Sequence, residues 1–133
     1  MSDNYTVIHR EDADDVMAGS GYPGQMRMMT GALENEQIAI TWRHMPPGAG
    51  GKGSYGHFHR TQEEILCVVS GRVEAKLDDD VIELGPGHAV RIAPQCVRSV
   101  HNDGPEDAEI LLMSVRIDDL RGDVTTVPDF WPA

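Results

Sequence analysis

The sequence predicts an all-β domain, a closed barrel or jelly roll with little helix. Three observations lead there. Turn signals built from Gly, Pro and Asp recur at short intervals along most of the chain. Between them, apolar and polar residues alternate at the period of a strand, as in Val73-Glu74-Ala75-Lys76-Leu77. Helical periodicity is weak and confined to about 10–18. Eight to ten short antiparallel strands would leave unpaired edges in an open sheet, and closure removes them. In a closed wall every second side chain addresses the interior.

Taken in order, residues 1–25 are polar, acidic and punctuated by glycine, and they read as an arm. The first strand is expected in "QMRMMTGAL". "EQIAITWRHM" follows, with Ile38, Ile40, Trp42 and His44 on one face and Ala39, Thr41 and Arg43 on the other. His44, beside three apolar residues, reads as a satisfied core histidine. "PPGAGGKG" is a long loop. "SYGHFH" resumes the strands, and "EILCVV" is a buried run that includes Cys67. "RVEAKL" and "VIEL" flank a turn at Asp78-Asp79-Asp80. Gly85-Pro86-Gly87 leads into "HAVRIA", then Pro94-Gln95 into "VRSVHN", and Asp103-Gly104-Pro105 into the last long strand, "EILLMSVRI". The tail, 118–133, is polar until Phe130 and Trp131, which are placed to anchor it to the body or to a partner. One domain over 1–133 is expected, with a barrel core at about 33–117, an N-terminal arm at 1–25 and a C-terminal tail at 118–133.

Composition narrows the function. A chain of 133 residues suits one core and buries enough surface to fold without staples. Aromatic residues are 5%, so Val, Ile, Leu and Met must fill the interior. The net charge of -11, with no run of Lys or Arg, argues against nucleic acid or an anionic membrane as partner. Two cysteines, Cys67 and Cys96, are no disulfide framework. The opening "MSDNYTVIHREDADDV" lacks the pattern of a secretory signal, and no apolar run approaches the roughly 20 residues of a membrane helix. A cytoplasmic protein is expected.

The segment that carries chemistry is 51–71, "GKGSYGHFHRTQEEILCVVSG". His57 and His59 are two apart, so on a strand they share a face. Two imidazoles converging on one point suit a divalent metal. Glu64 follows a short turn and opens the next strand, where a hairpin can bring its carboxylate beside them. Its neighbour Glu63 faces away, towards solvent.

These residues resemble the first motif of the cupin superfamily: Gly51, five residues, His57, one residue, His59, four residues, Glu64, six residues, Gly71. "MPPGAG" and the strand rhythm from 33 to 117 are also similar to a small single-domain cupin. The resemblance implies a double-stranded β-helix, that is, a jelly-roll barrel. It implies a divalent transition metal (Fe, Mn, Ni, Cu or Zn) held by His57, His59 and Glu64, and a small organic ligand or substrate in the barrel cavity. Similar cupins include dioxygenases, isomerases, decarboxylases and lyases, and the fold chooses none of them. Cupins of this kind commonly pair through outer sheet faces and swapped N-terminal strands, which makes a homodimer the expected assembly.

The second cupin motif normally reads Gly, a short strand, Pro-x-Gly, two residues, His, three residues, Asn. Its counterpart is 87–102, where Gly87, Pro94 and Asn102 fit. Cys96 replaces a glycine, His88 replaces an acidic residue, and Ser99 stands where the fourth metal ligand, a histidine, is expected. Three outcomes follow. The metal sits on His57, His59 and Glu64 alone, an arrangement that suits non-haem Fe(II). Or His101 or Cys96 compensates, His101 by a local bulge that re-aims it. Or the metal site is weakened or empty, and the cavity serves a non-catalytic binding or sensor protein.

Overall fold

A computed structural model describes residues 3–133. Ten strands form two antiparallel five-stranded sheets. They are β1 (Gln25–Met28), β2 (Ile38–Met45), β3 (Gly56–His59), β4 (Glu64–Ser70), β5 (Val73–Leu77), β6 (Asp80–Leu84), β7 (Ala89–Ile92), β8 (Arg98–His101), β9 (Ala108–Val115) and β10 (Val124–Val127). One sheet runs in the order β1-β2-β9-β4-β7 and the other in the order β10-β3-β8-β5-β6. From β2 onwards the chain crosses between the sheets at every connection except the β5–β6 hairpin, as in a jelly roll. No helix among the described residues is long and apolar enough to cross a membrane.

The core lies between the sheets. Met45, Leu66, Val68, Val73, Ala75, Ile92, Val100, Ala108 and Ile110 are buried there. Aliphatic residues do fill it, as the scarcity of aromatics requires.

Several local expectations change. "QMRMMTGAL" is a strand only over its first four residues; α1 (Met29–Leu33) is a helical turn that ends at Glu34 in the left-handed region, φ 58°. Strands also occur on both sides of 33–117. β1 hydrogen-bonds to β2, and β10, inside the polar tail, pairs with β3 along its whole length. The periodicity of "VTTV" is too short to reveal itself, and the tertiary partner β3 makes it a strand. Phe130 and Trp131 anchor the tail to the body: the Trp131 backbone N–H donates to Ser54 O, and its ring is buried against the His101 ring, 6.0 Å between centroids.

The faces of β2 are the reverse of what hydrophobicity suggests. β2 and β9 pair in register from Ile38↔Val115 to Met45↔Ala108, so Thr41, Arg43 and Met45 lie on the same side as Leu112, Ile110 and Ala108, towards the core. Ile38, Ile40, Trp42 and His44 face outwards. Part of that outer face is covered by the arm, with the Arg10 guanidinium over the Trp42 ring at 5.3 Å. His44 is therefore satisfied but is no core residue; its Nδ1 is 2.8 Å from Glu109 Oε1 and its Nε2 3.1 Å from Asp107 Oδ2. Cys67 is also on the outer face and only half-buried, and both cysteines are free.

Candidate metal and ligand site

β3 is short and central to the site. Its partner β8 places Arg98 opposite His57 in register, and residues opposite each other in a ladder share a face. His57, His59 and Arg98 therefore project into the barrel together. The two imidazoles meet edge to face with ring centroids 5.2 Å apart. From the other sheet, Glu64 heads β4 on the same inward face as the core residues Leu66 and Val68. Its Oε1 is 3.7 Å from Arg98 Nε, with the two side chains 14% and 2% exposed.

His59 is fixed from behind. Its Nδ1 is 3.1 Å from Asp123 Oδ2, and both side chains are buried. A carboxylate only accepts, so Nδ1 donates to it, and Nε2 is the nitrogen available to a metal when the ring is neutral. Asp123 closes α2 (Leu120–Asp123), directly before β10, and the backbone N–H groups of Thr61 and Gln62 and the Thr61 hydroxyl also donate to it. Those bonds, led by the hydroxyl, hold its carboxyl below the usual range against the effect of burial. The His59–Asp123 link joins residues 64 apart in sequence, and nothing in the sequence around Asp123 announces it.

Electrostatics favour the neutral form of His57. Burial, followed by the positive charge of Arg98 and by the neighbouring His59 and Arg43, lowers His57 to about 4. Burial raises Glu64, while Arg98 and then His59 pull it back down. A neutral imidazole is the form that ligates metal.

The second motif folds differently from the reading above. Ala75 and Leu77 of β5 point to the core; they pair with Val100 and Arg98, whereas Ser99 and His101 pair with Lys76 and Glu74 on the outer face. Ser99 thus turns away from His57 and His59. A Cβ on Gly51 would fall 1.8 Å from Ser99 Oγ, so the serine abuts the 50–55 loop. No bulge interrupts β8 against β5, and His101 stays outside, its Nδ1 accepting from the Lys52 N–H at 3.3 Å. Cys96 is in the preceding turn, packed against the core, its thiol pushed up by burial and by Asp78. His101 thus does not join His57 and His59. The inward corner belongs to Arg98, and Asn102, which stands four residues after it as the motif asks, was the available sign that the turn is one residue short.

The donor set of two imidazoles and a carboxylate, with a carboxylate behind one imidazole, has the chemistry of a divalent metal site. Among the described residues, however, no three His, Cys, Asp or Glu side chains are close enough together to hold an ion as they stand. Glu64 faces the Arg98 guanidinium, and an arginine cannot ligate.

A protein-family model described as the cupin domain matches residues 41–114. Among solved structures, a sugar phosphate isomerase of the cupin superfamily from Silicibacter pomeroyi is 18% identical, with 96% of each chain covered and a TM-score of 0.71. A polyketide cyclase from Streptomyces resistomycificus is 19% identical, covering 83% of this chain and 78% of that one, TM-score 0.67. A protein from Acidithiobacillus ferrooxidans, provisionally named a sugar phosphate isomerase, is 23% identical with a TM-score of 0.61; 80% of this chain matches, but it spans only 64% of that one. These likenesses establish the jelly-roll fold and nothing finer. No curated protein matches the chain.

Proposed function

The chain belongs to the cupin domain family, and on that premise we propose that its barrel binds a divalent transition metal through His57, His59 and Glu64 and acts as an enzyme on a small organic substrate. The observation that carries this reading is the buried Asp123–His59 hydrogen bond. A carboxylate behind a histidine fixes the ring and raises its basicity, which is the usual support of a metal-ligating imidazole. A divalent ion held there supplies Lewis-acid chemistry, polarising a substrate oxygen or making water more acidic. The chain's own part is to present neutral His57 and the Nε2 of His59 inside the barrel, away from bulk water. Arg98 holds the Glu64 carboxylate and adds positive charge beside it. The isomerase and cyclase names of similar structures suit chemistry on a small oxygenated substrate, and an oxygenase suits the same donor set.

A second reading has its own observation. Arg98 stands where a fourth ligand would complete the metal sphere, which favours a non-catalytic binding or sensor protein. Elemental analysis of protein purified without a histidine tag, before and after reconstitution, separates the two. The enzyme reading expects about one ion per chain, lost in His57→Ala with the circular dichroism spectrum unchanged. Protein that takes up no Fe, Mn, Ni, Cu or Zn would overturn it.

A further inference from the structure

The barrel interior holds one more charged side chain than the metal reading uses. Arg43 points inwards from the middle of β2, opposite Ile110 of β9. Its Nε is buried without a hydrogen-bond partner, and among the described residues no carboxylate pairs with it. Its electrostatic neighbour is the Tyr55 phenol, and its charge reaches His57. Arg98 is also incompletely satisfied. Its Nη1 donates to Pro94 O at 3.2 Å and its Nη2 to Ala93 O at 3.4 Å, but Nε is buried with no hydrogen-bond partner and has Glu64 only at 3.7 Å. Two guanidinium groups thus point into the barrel: Glu64 faces Arg98 alone, and Asp123 is committed to Thr61, Gln62 and His59. This surplus of positive charge sits inside a protein whose net charge is -11. Buried polar groups normally find partners, and an uncompensated buried charge is costly. A retained arginine of this kind is accounted for by an anion that arrives from outside.

We propose that Arg43, with Arg98, forms the recognition site for an oxyanion, a carboxylate or phosphate carried by the small organic ligand of the barrel. The inference rests on the reading of the barrel interior as a ligand site, and it does not need the metal. Guanidinium groups match such oxyanions by paired N–H donors, and they do so most strongly where water is excluded. Tyr55, about half exposed, is within electrostatic reach of Arg43, and its hydroxyl is a further donor for a ligand oxygen.

The test uses chelator-stripped protein, with inorganic phosphate and acetate as probes. At ten times its dissociation constant, a bound probe is expected to raise the melting temperature by about 5 °C for a domain of this size. Arg43→Gln is expected to bind at least tenfold more weakly, whereas Arg91→Gln, on the exposed edge, binds as the parent does. Because Arg43→Gln removes packing as well as charge, Arg43→Met supplies a second readout: its ligand-free melting temperature rises, since an unpartnered buried charge is gone, and its response to probe is lost. A response to phosphate alone or to acetate alone identifies which oxyanion the site takes. Metal uptake by the parent protein, measured separately by elemental analysis, reads the metal proposal without the probes, so failure of the metal reading and failure of this one are distinct results. Binding of neither probe, or an unchanged probe affinity in Arg43→Gln, overturns the proposal.

Discussion

The ion pair across the barrel is the feature on which the site's organisation turns, and it can be weighed. Arg98 Nε and Glu64 Oε1 are 3.7 Å apart, with side chains 2% and 14% exposed. At an effective dielectric constant of about 20, opposite unit charges at that separation attract by about 4.5 kcal/mol before desolvation is charged against them. Removing one member of a buried pair generally costs about 3–5 kcal/mol, because the other is stranded. Arg98→Met keeps the length of the side chain and loses its charge, so it should destabilise by roughly that amount. It also frees the carbonyl oxygens of Ala93 and Pro94, a loss unrelated to Glu64. Repeating Arg98→Met in a Glu64→Gln background cancels that contribution and leaves the pair itself, for which a coupling of about 2–4 kcal/mol is expected. The assay is urea unfolding of chelator-stripped protein at pH 8, since bound metal would stabilise the native state by mass action. A total stability of about 5–15 kcal/mol leaves such a difference measurable. A coupling below about 0.5 kcal/mol would refute the reasoning: Arg98 and Glu64 would not meet, and the inward corner would not be the arginine's.

The same geometry gives further expectations. Arg98→His should tighten metal binding in a calorimetric titration, because it puts an imidazole opposite His57, whereas Ser99→His should lower the melting temperature and leave metal affinity unimproved, because position 99 abuts Gly51 on the outer face. Asp123→Asn should weaken metal binding by about 10–100-fold, since an amide cannot accept from every donor that surrounds that carboxylate. The lowered pKa of Asp123 also sets a pH dependence. Its stabilising contribution is present above the unfolded value near 3.8 and is lost as pH falls through the lower native value, so an acid titration followed by circular dichroism should show a shallower acid limb in Asp123→Asn. We also propose the homodimer as the assembly in solution; light scattering should return twice 14.6 kDa, and a mass of one chain would discard it.

Much of this was legible in the sequence because strand chemistry is local. A period of two between turn signals is enough to specify an all-β chain, and it puts His57 and His59 on one face without knowledge of any partner. The spacing from Gly51 to Gly71 carried the family. Which face of β2 points inwards was not legible. Trp42 and its apolar neighbours are as hydrophobic as a core face, yet the register with Ala108, Ile110 and Leu112 sends Arg43 inwards, and part of the outer face is covered by the arm.

By itself, the sequence determined the strand order along the chain, the turns, and the pair of imidazoles with a carboxylate a short turn away. Only the tertiary structure decided that Arg98 rather than Ser99 faces them, because one residue more or less in the turn after Pro94 exchanges the two faces of β8. It alone brought Asp123 behind His59 and an unpaired Arg43 into the interior. Contacts between residues far apart in the chain follow from how strands pair, and pairing is a property of the closed sheet, which no short stretch of sequence contains.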